Sequence, residues 1–487
     1  MNTSTMIKIC NGSLLLVLVS GCISQSEQDK RLITEAPGHE LSRCFDLADE
    51  FRQAVDSQRV TNASAPALAN APILHHSRFL NHLAASAVTD SQIEQWVSLT
   101  STLGNEIRNT ENPNLREPWS EQRLTELTQC AAKLTNDTEL KTVRRDLVGT
   151  SRVFQDHYRP LPQWLGFNWL LRPIFQWRIR QLHQQEQLLF DTKLQFDDTV
   201  SYSFEESLEP TPNFGTWFAE AYEDSPLNLP VFSKAQLDSL FQLHAPSFTV
   251  ELEDDNDRIG KPYVINKKIE IDTSNPEIYV LPSYTEFGGA NLLQLNYVVW
   301  FSERKPLGLL DLYSGKIDSL IWRVTLDQQG NVLLYDSIHS CGCYHKYFMA
   351  SDTIKNRSTP LSKEPANVFD LTHSMHQRKS NRPQLWLTAN EHYVVDIDFE
   401  SPLESQAYTM QDYQQLSQLK NDGTSRSFFS ATGIIEQSKR LERFTLWPTG
   451  IESVGAMRQW GTHATGFVQQ QQFDDPTLLD NYFTREK

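Results

Sequence analysis

The sequence is poor in positive charge, in long apolar runs and in the signatures of the common catalytic folds. Its 487 residues hold 44 Lys and Arg against 61 Asp and Glu, a formal charge of −17. A nucleic-acid binder concentrates Lys and Arg against phosphate, so this balance excludes a whole-surface nucleic-acid interface. No apolar run approaches the roughly 20 residues of a bilayer-spanning helix. GxSxG, HExxH, the Walker A loop and GxGxxG are all missing. The nucleophile elbow, the zincin helix, the P-loop and the dinucleotide fold therefore have no sequence support. Ser417-Gln-Leu-Lys420 matches SxxK, but its KTG companion is lacking, and the segment reads as a surface helix. With 39% hydrophobic and 22% charged residues the chain has an ordinary folded composition, long enough for two to three domains.

The N-terminus carries an export pattern. Lys8 is followed by the short apolar run Leu14-Leu15-Leu16-Val17-Leu18-Val19 and then by Ser20-Gly21-Cys22. Val19-Ser20-Gly21-Cys22 resembles the lipobox of bacterial lipoproteins: a branched apolar residue, two small residues, then Cys. The resemblance covers about the first twenty residues. It implies that residues 1–21 are a signal peptide, that Cys22 is lipidated as the mature N-terminus, and that Cys22 is the chain's link to a membrane. Ile23 stands where an Asp typically favours inner-membrane retention, so the implied address is the outer membrane, periplasmic face. Residues 22–38 are polar and charged and read as a tether.

The chain then divides by periodicity. Helical stripes recur at 39–56, 92–107, 119–134 and 138–148, with a long polar helix over 177–196, giving a helical region at 39–200. Residues 201–245 are a Pro-rich transition with a helix at 233–243. From 246 to 487 the period falls to two, with strands at 263–271, 277–282, 292–301, 319–326, 332–338, 384–388 and 392–399, a turn at Asp327–Asn331, a helix at 410–420 and a strand at 443–447. The expected class is α+β: a helical N-terminal region followed by a mainly antiparallel β region with helical additions.

Four of the six Cys lie beyond the lipobox. Cys44 shares a helical stripe with Leu41, Phe45, Ala48, Phe51 and Val55, and Cys130 shares one with Leu124, Leu127, Ala131 and Leu134. Two Cys on apolar faces of neighbouring helices, in an oxidising compartment, are expected to form a disulfide. Cys341 and Cys343 remain as a separate pair.

That pair lies in Asp336-Ser-Ile-His339-Ser-Cys341-Gly-Cys343-Tyr-His345, directly after a strand. His373, His376 and His392 follow, so five of the chain's 13 His fall between 339 and 392. The density points to a transition-metal centre drawn from His339, Cys341, Cys343, His345, His373, His376 and His392, with zinc the first choice and copper the second. Neighbouring ligands on a straight strand are too far apart to share one tetrahedral ion, so the chain must bend, and Gly342 permits it. A Cys341–Cys343 disulfide and a turn of satisfied polar residues are the competing readings. Glu303, at the end of the run Tyr297 to Phe301, is the candidate general base beside a metal-bound water, and Asp336 a candidate to orient a His.

Two other segments stand out. Glu253 to Gly260 concentrates oxygen ligands, as calcium loops do, but lacks the EF-hand order and reads as a solvated turn. Residues 157–185 hold Trp164, Trp169, Trp177, Arg159, Arg172, Arg178 and Arg180, and no Asp or Glu. Trp with Arg suits an interfacial contact with anionic lipid, but a buried aromatic hub with surface arginines is the preferred reading. The functional expectation is an outer-membrane-anchored periplasmic lipoprotein with a Cys/His metal site, acting as a metal-dependent hydrolase of an envelope substrate. The alternative is a non-catalytic lipoprotein that binds a partner or surface polymer, with Cys341–Cys343 as a structural or redox disulfide.

Overall fold

The computed structural model describes residues 39–149, 154, 156–205, 213–266, 268–308, 311–421 and 423–486. The segments expected as signal peptide (1–21), lipidation site (Cys22) and tether (22–38) lie outside the described residues. The architecture is α+β.

The first region packs helices α1 (His39–Gln58), α2 (Asp90–Glu111) and α3 (Glu121–Asn136) around one core. Each begins or packs for a local reason. Thr89 and Gln92 form a reciprocal capping box at the start of α2, and the Ser120 hydroxyl accepts from the backbone of Arg123 at the start of α3. The stripes Leu41, Cys44, Phe45, Ala48, Phe51, Val55 and Leu127, Cys130, Ala131, Leu134 are buried. Cys44 and Cys130 are joined in a disulfide with Cα atoms 5.6 Å apart. A small hairpin, Ala67–Leu68 with Ala71–His75, pairs inside this helical layer. The long helix α4 runs from Asn168 to Thr192, starting nine residues before the polar stripe at 177 because its first turns are apolar and Pro173 does not end it.

The β region is built on a seven-stranded sheet. Its strands are β1 (Glu277–Phe287), β2 (Ala290–Arg304), β3 (Gly315–Leu326), β4 (Val332–His339), β5 (Lys346–Met349), β6 (Asn367–Asp370) and β7 (Thr409–Asp412). The order across the sheet is β6-β5-β4-β3-β2-β1-β7. Strands β1 to β5 form an antiparallel meander, and the edge strands β6 and β7 add in parallel. A second sheet has the order Val394–Asp398, Gln384–Leu387, Ser247–Glu251, Thr199–Ser203, Gln406–Ala407.

Side-chain alternation divides the large sheet's two faces. Leu295, Tyr297, Val299 and Phe301 of β2 and Leu320, Trp322 and Val324 of β3 pack against Val200, Phe248, Val250 and Leu385 of the second sheet. The 201–245 segment, expected as a transition, supplies Tyr202, Phe218, Phe232, Leu240 and Phe241 to this same core. The other face, with Val298, Trp300, Ile321 and Ile338, is covered by the C-terminal chain through Tyr413, Leu416, Phe428, Ile435, Met457 and Phe473. That chain departs from expectation in two places. The 410–420 helix is strand β7 followed by a 3-10 turn over Tyr413–Gln418, and the 443–447 strand is replaced by 3-10 turns at Leu441–Phe444 and Trp447–Thr449. The first segment pairs in parallel with β1 at the sheet edge, and the second leaves Phe444 and Trp447 exposed.

Candidate functional site

The ends of β2, β3 and β4 deliver Arg304, Asp318 and His339 to one place. His339 closes β4, and the chain then turns sharply: the backbone N–H of Gly342 donates to His339 O at 2.8 Å and that of His339 to Cys343 O at 3.1 Å. Gly342 has φ +91°, and a Cβ there would lie 2.2 Å from Ala464 O, so no side chain fits. His392 comes from the loop between Gln384–Leu387 and Val394–Asp398, its ring stacked on Phe301 with centroids 3.7 Å apart and planes 4° apart. The turn at 253–260 contributes Asp257, whose Oδ2 accepts the backbone N–H groups of Glu253 and Asp254 and whose Oδ1 accepts that of Asn390 at 2.7 Å. The C-terminal chain contributes Arg440.

These groups form a closed ionic network. His392 Nδ1 lies 3.0 Å from Asp318 Oδ2, and His392 Nε2 lies 3.4 Å from Asp257 Oδ1. Arg440 Nη2 donates to Asp318 Oδ1 at 3.0 Å and Arg440 Nη1 to Tyr313 O at 2.7 Å. His339 Nδ1 is 3.8 Å from Asp318 Oδ1, its ring set edge-on to Tyr344. Burial alone would raise the Asp318 carboxyl, but Arg440 and His392 outweigh it and hold the group well below the usual carboxylate range. Burial likewise opposes charge on His392, yet bonds to Asp257 and Asp318 keep its pKa above the ordinary imidazole value. His339 has one carboxylate at longer range, and burial pushes it down to about 3. The network thus shifts two neighbouring imidazoles in opposite directions, His392 up and His339 down. Glu442, also buried nearby, is pushed up to about 7 by desolvation.

The backbone around this network is strained. Among the described residues, four of the ten non-glycine positions with left-handed φ lie in it: Ile317 at +62°, Tyr344 at +60°, Asn390 at +61° and His392 at +52°. Ile317 is β-branched, for which this conformation is a true outlier. Strain of about 1–3 kcal/mol per residue persists only where surrounding contacts enforce it. Here the enforcing contacts are the ion pairs of Asp318 and His392 themselves.

The sequence candidates separate into distinct places. His339 and His392 meet at Asp318. Cys341 and Cys343 are free thiols at the turn beside them, Cys341 buried and Cys343 half-buried, and a hydrogen bond with the Cys341 thiol together with burial raises the Cys343 thiol well above its ordinary value. His345 points to the opposite face of the sheet, where its Nε2 lies 2.8 Å from Asp336 Oδ2 and Asp336 also receives two bonds from Arg323. Asp336 does orient a His, as its position on the strand allowed. His373 and His376 share the short helix Thr372–Gln377 near the surface, beside Gln377 and Asp352 respectively. Glu303 pairs with Lys316 across β2 and β3, two residues along each strand from the Phe301–Asp318 pair. Among the described residues, no three His, Cys, Asp or Glu side chains are placed to hold one metal ion. The donors expected from the sequence are thus divided among three places: His339 and His392 with the two thiols nearby, His345 on the opposite face, and His373 and His376 on the short helix.

Sequence reasoning missed Asp257, Arg304, Asp318 and Arg440. Asp318 carried a detectable signal, as the one acid in the stretch Gly315 to Leu326. Asp257 lay in the segment read as a solvated turn. Arg440 had none. The site is also sealed: Asp318 and His392 are both 0% exposed.

A second candidate is at the surface. Residues 160–165 and α4 form a helical hairpin held to the C-terminal chain by Gln163 Nε2 donating to Thr449 O and Asn168 Nδ2 donating to Pro448 O. Its outer face leaves Trp164 73%, Trp169 62% and Trp177 57% exposed. This removes the buried-hub reading of 157–185.

No family model matches the chain, and no curated protein or solved structure matches it.

Proposed function

We propose that this chain is an envelope lipoprotein, anchored to the outer membrane through lipidated Cys22, that acts by binding a partner or surface polymer and not by catalysis. The observation that carries the second half is burial. Asp318 and His392, around which any acid–base chemistry of the β region would turn, have no surface open to a substrate. A general base must come within hydrogen-bond reach of the proton it takes. The network instead joins four separated segments: the strand ends of the large sheet, the 253–260 turn, the 388–393 loop and the C-terminal chain. That is the geometry of a clasp, which keeps the two sheets and their covering chain in one arrangement. The lipobox Val19 to Cys22 supports the anchor.

Elemental analysis of the purified mature protein, beside a thiol count after unfolding, tests the reading. The expected result is no stoichiometric transition metal and two titratable thiols. One equivalent of zinc or copper, lost in Cys341→Ser with Cys343→Ser, overturns it in favour of a metal-dependent hydrolase.

A further inference from the structure

We propose that the hairpin of residues 160–192 lies flat on an anionic lipid surface, its aromatic face in the headgroup layer. The inference deepens the anchored-lipoprotein reading by naming a second contact with the membrane, independent of the acyl chains.

The argument begins with exposure. Soluble proteins leave single apolar residues in water, but a contiguous patch of large ones marks an interaction surface. Here Trp164, Phe167, Trp169, Leu170, Ile174 and Trp177 are all more than half exposed on one hairpin. At about 100° per residue, Leu170, Ile174 and Trp177 of α4 fall within roughly 60° of one another, and Arg178 and Arg180 fall about 80° to either side of Leu170. An apolar stripe flanked by arginines is the pattern of a helix lying in an interface, with guanidinium groups reaching up to phosphate. Arg178 lies 5.7 Å from the Trp177 ring, which orders it along the flank.

Charge selects the occupant. From His157 to Gln185 there are four arginines and no acid, in a chain of formal charge −17. A second copy of so acidic a protein would be repelled at most other points of contact, whereas an anionic bilayer is attracted to this one patch. The apolar surface continues onto the C-terminal chain, where Phe444 and Trp447 are exposed and Arg443 lies 4.5 Å from the Phe444 ring. The inner side of α4 is fixed to the protein: Glu186 pairs with Lys346 at 3.1 Å and accepts from Asn367 Nδ2 at 2.7 Å, and Phe190 packs on Phe369. The hairpin is thus a rigid fin with one face committed to the fold and one left over. The seventeen residues from Cys22 to Gly38 span at most about 60 Å when extended, so a lipidated Cys22 holds the body within that distance of the same bilayer.

The test uses the mature chain from residue 22 with Cys22→Ala, which carries no acyl group, so that its failure leaves the anchor reading untouched. It is mixed with vesicles of phosphatidylethanolamine and phosphatidylglycerol, or of phosphatidylcholine alone, and sedimented. Binding to the anionic vesicles, weakened by salt, is expected. Trp164→Ser with Trp169→Ser and Trp177→Ser should lower the partition at least about 100-fold. Arg178→Gln with Arg180→Gln should lower it about fivefold per arginine and remove the preference for anionic lipid. Quenching of the unsubstituted chain's tryptophans by brominated lipid gives a readout that needs no variant. Absence of sedimentation and quenching overturns the proposal, as does equal binding by the triple Trp variant. A dimer in the absence of lipid that the Trp substitutions dissolve also overturns it, assigning the face to a second copy.

Discussion

His392 and Asp318 lie 74 residues apart in the chain and 3.0 Å apart in the fold, both wholly enclosed. The pair explains why an unfavourable backbone is tolerated at His392 and at Ile317, the residue before Asp318. It also sets what the β region needs in order to stay closed. A buried charge costs several kcal/mol to desolvate, and the cost is met only while each partner remains in place.

Asp318→Asn keeps the shape and removes the charge, leaving Arg440 and His392 buried beside a neutral amide. The expected loss is about 3–5 kcal/mol of unfolding free energy. Glu303→Gln, which breaks a part-exposed pair with Lys316, should change stability by less than about 0.5 kcal/mol. Urea titration of both variants checks the contrast, and equal losses would show that the network is not the clasp.

Glu442 gives a pH dependence of definite sign. Its folded pKa of about 7 lies above the ordinary carboxyl value because burial disfavours the anion. The folded state therefore holds this proton more tightly than the unfolded one. The stability it contributes is present in full below the ordinary carboxyl range and is lost as pH rises through about 7. Glu442→Gln cannot ionise. Relative to wild type it should gain on the order of 3 kcal/mol between pH 4.5 and 8, read from paired denaturation curves. A constant difference across that range would place the raised pKa elsewhere.

The disulfide Cys44–Cys130 closes a span of 86 residues. Cys44→Ser with Cys130→Ser should lower stability by about 2–5 kcal/mol, concentrated in the helical region. Peptide mapping without reductant should recover the Cys44–Cys130 peptide pair, and a Cys44–Cys341 link would refute the pairing.

Cys22→Ala should leave an unlipidated precursor that takes up no labelled palmitate, with the same result when lipoprotein processing is inhibited. Maturation of this variant to the wild-type mass would reject the lipobox.

Gly342→Ala tests the turn that separates His339 from His345. Left-handed φ and the close approach of Ala464 O leave no room for Cβ, so a loss of about 2 kcal/mol or more is expected. Full stability would mean that the turn relaxes freely.

Sequence alone determined what repeats locally. The 3.6-residue stripes marked the helices, alternation of period two marked the meander, and the shared helical faces of Cys44 and Cys130 marked their bond. Such signals are legible because each residue's environment follows from its neighbours a few positions away. The clasp was different. Asp257, Arg304, Asp318 and Arg440 are single charges in four separate segments, and an isolated charge reads the same whether it meets water or a buried partner. His339, Cys341, Cys343 and His345 looked like one set because they are adjacent in the chain, but the turn at Gly342 sends His339 and His345 to opposite faces of the sheet. The tryptophans of 157–185 carried the same ambiguity in reverse, since hydropathy records that a side chain avoids water and not whether protein or lipid shields it. Tertiary structure decided the clasp and left Trp164, Trp169 and Trp177 more than half exposed, because burial and ion pairing depend on which distant segments pack against a residue.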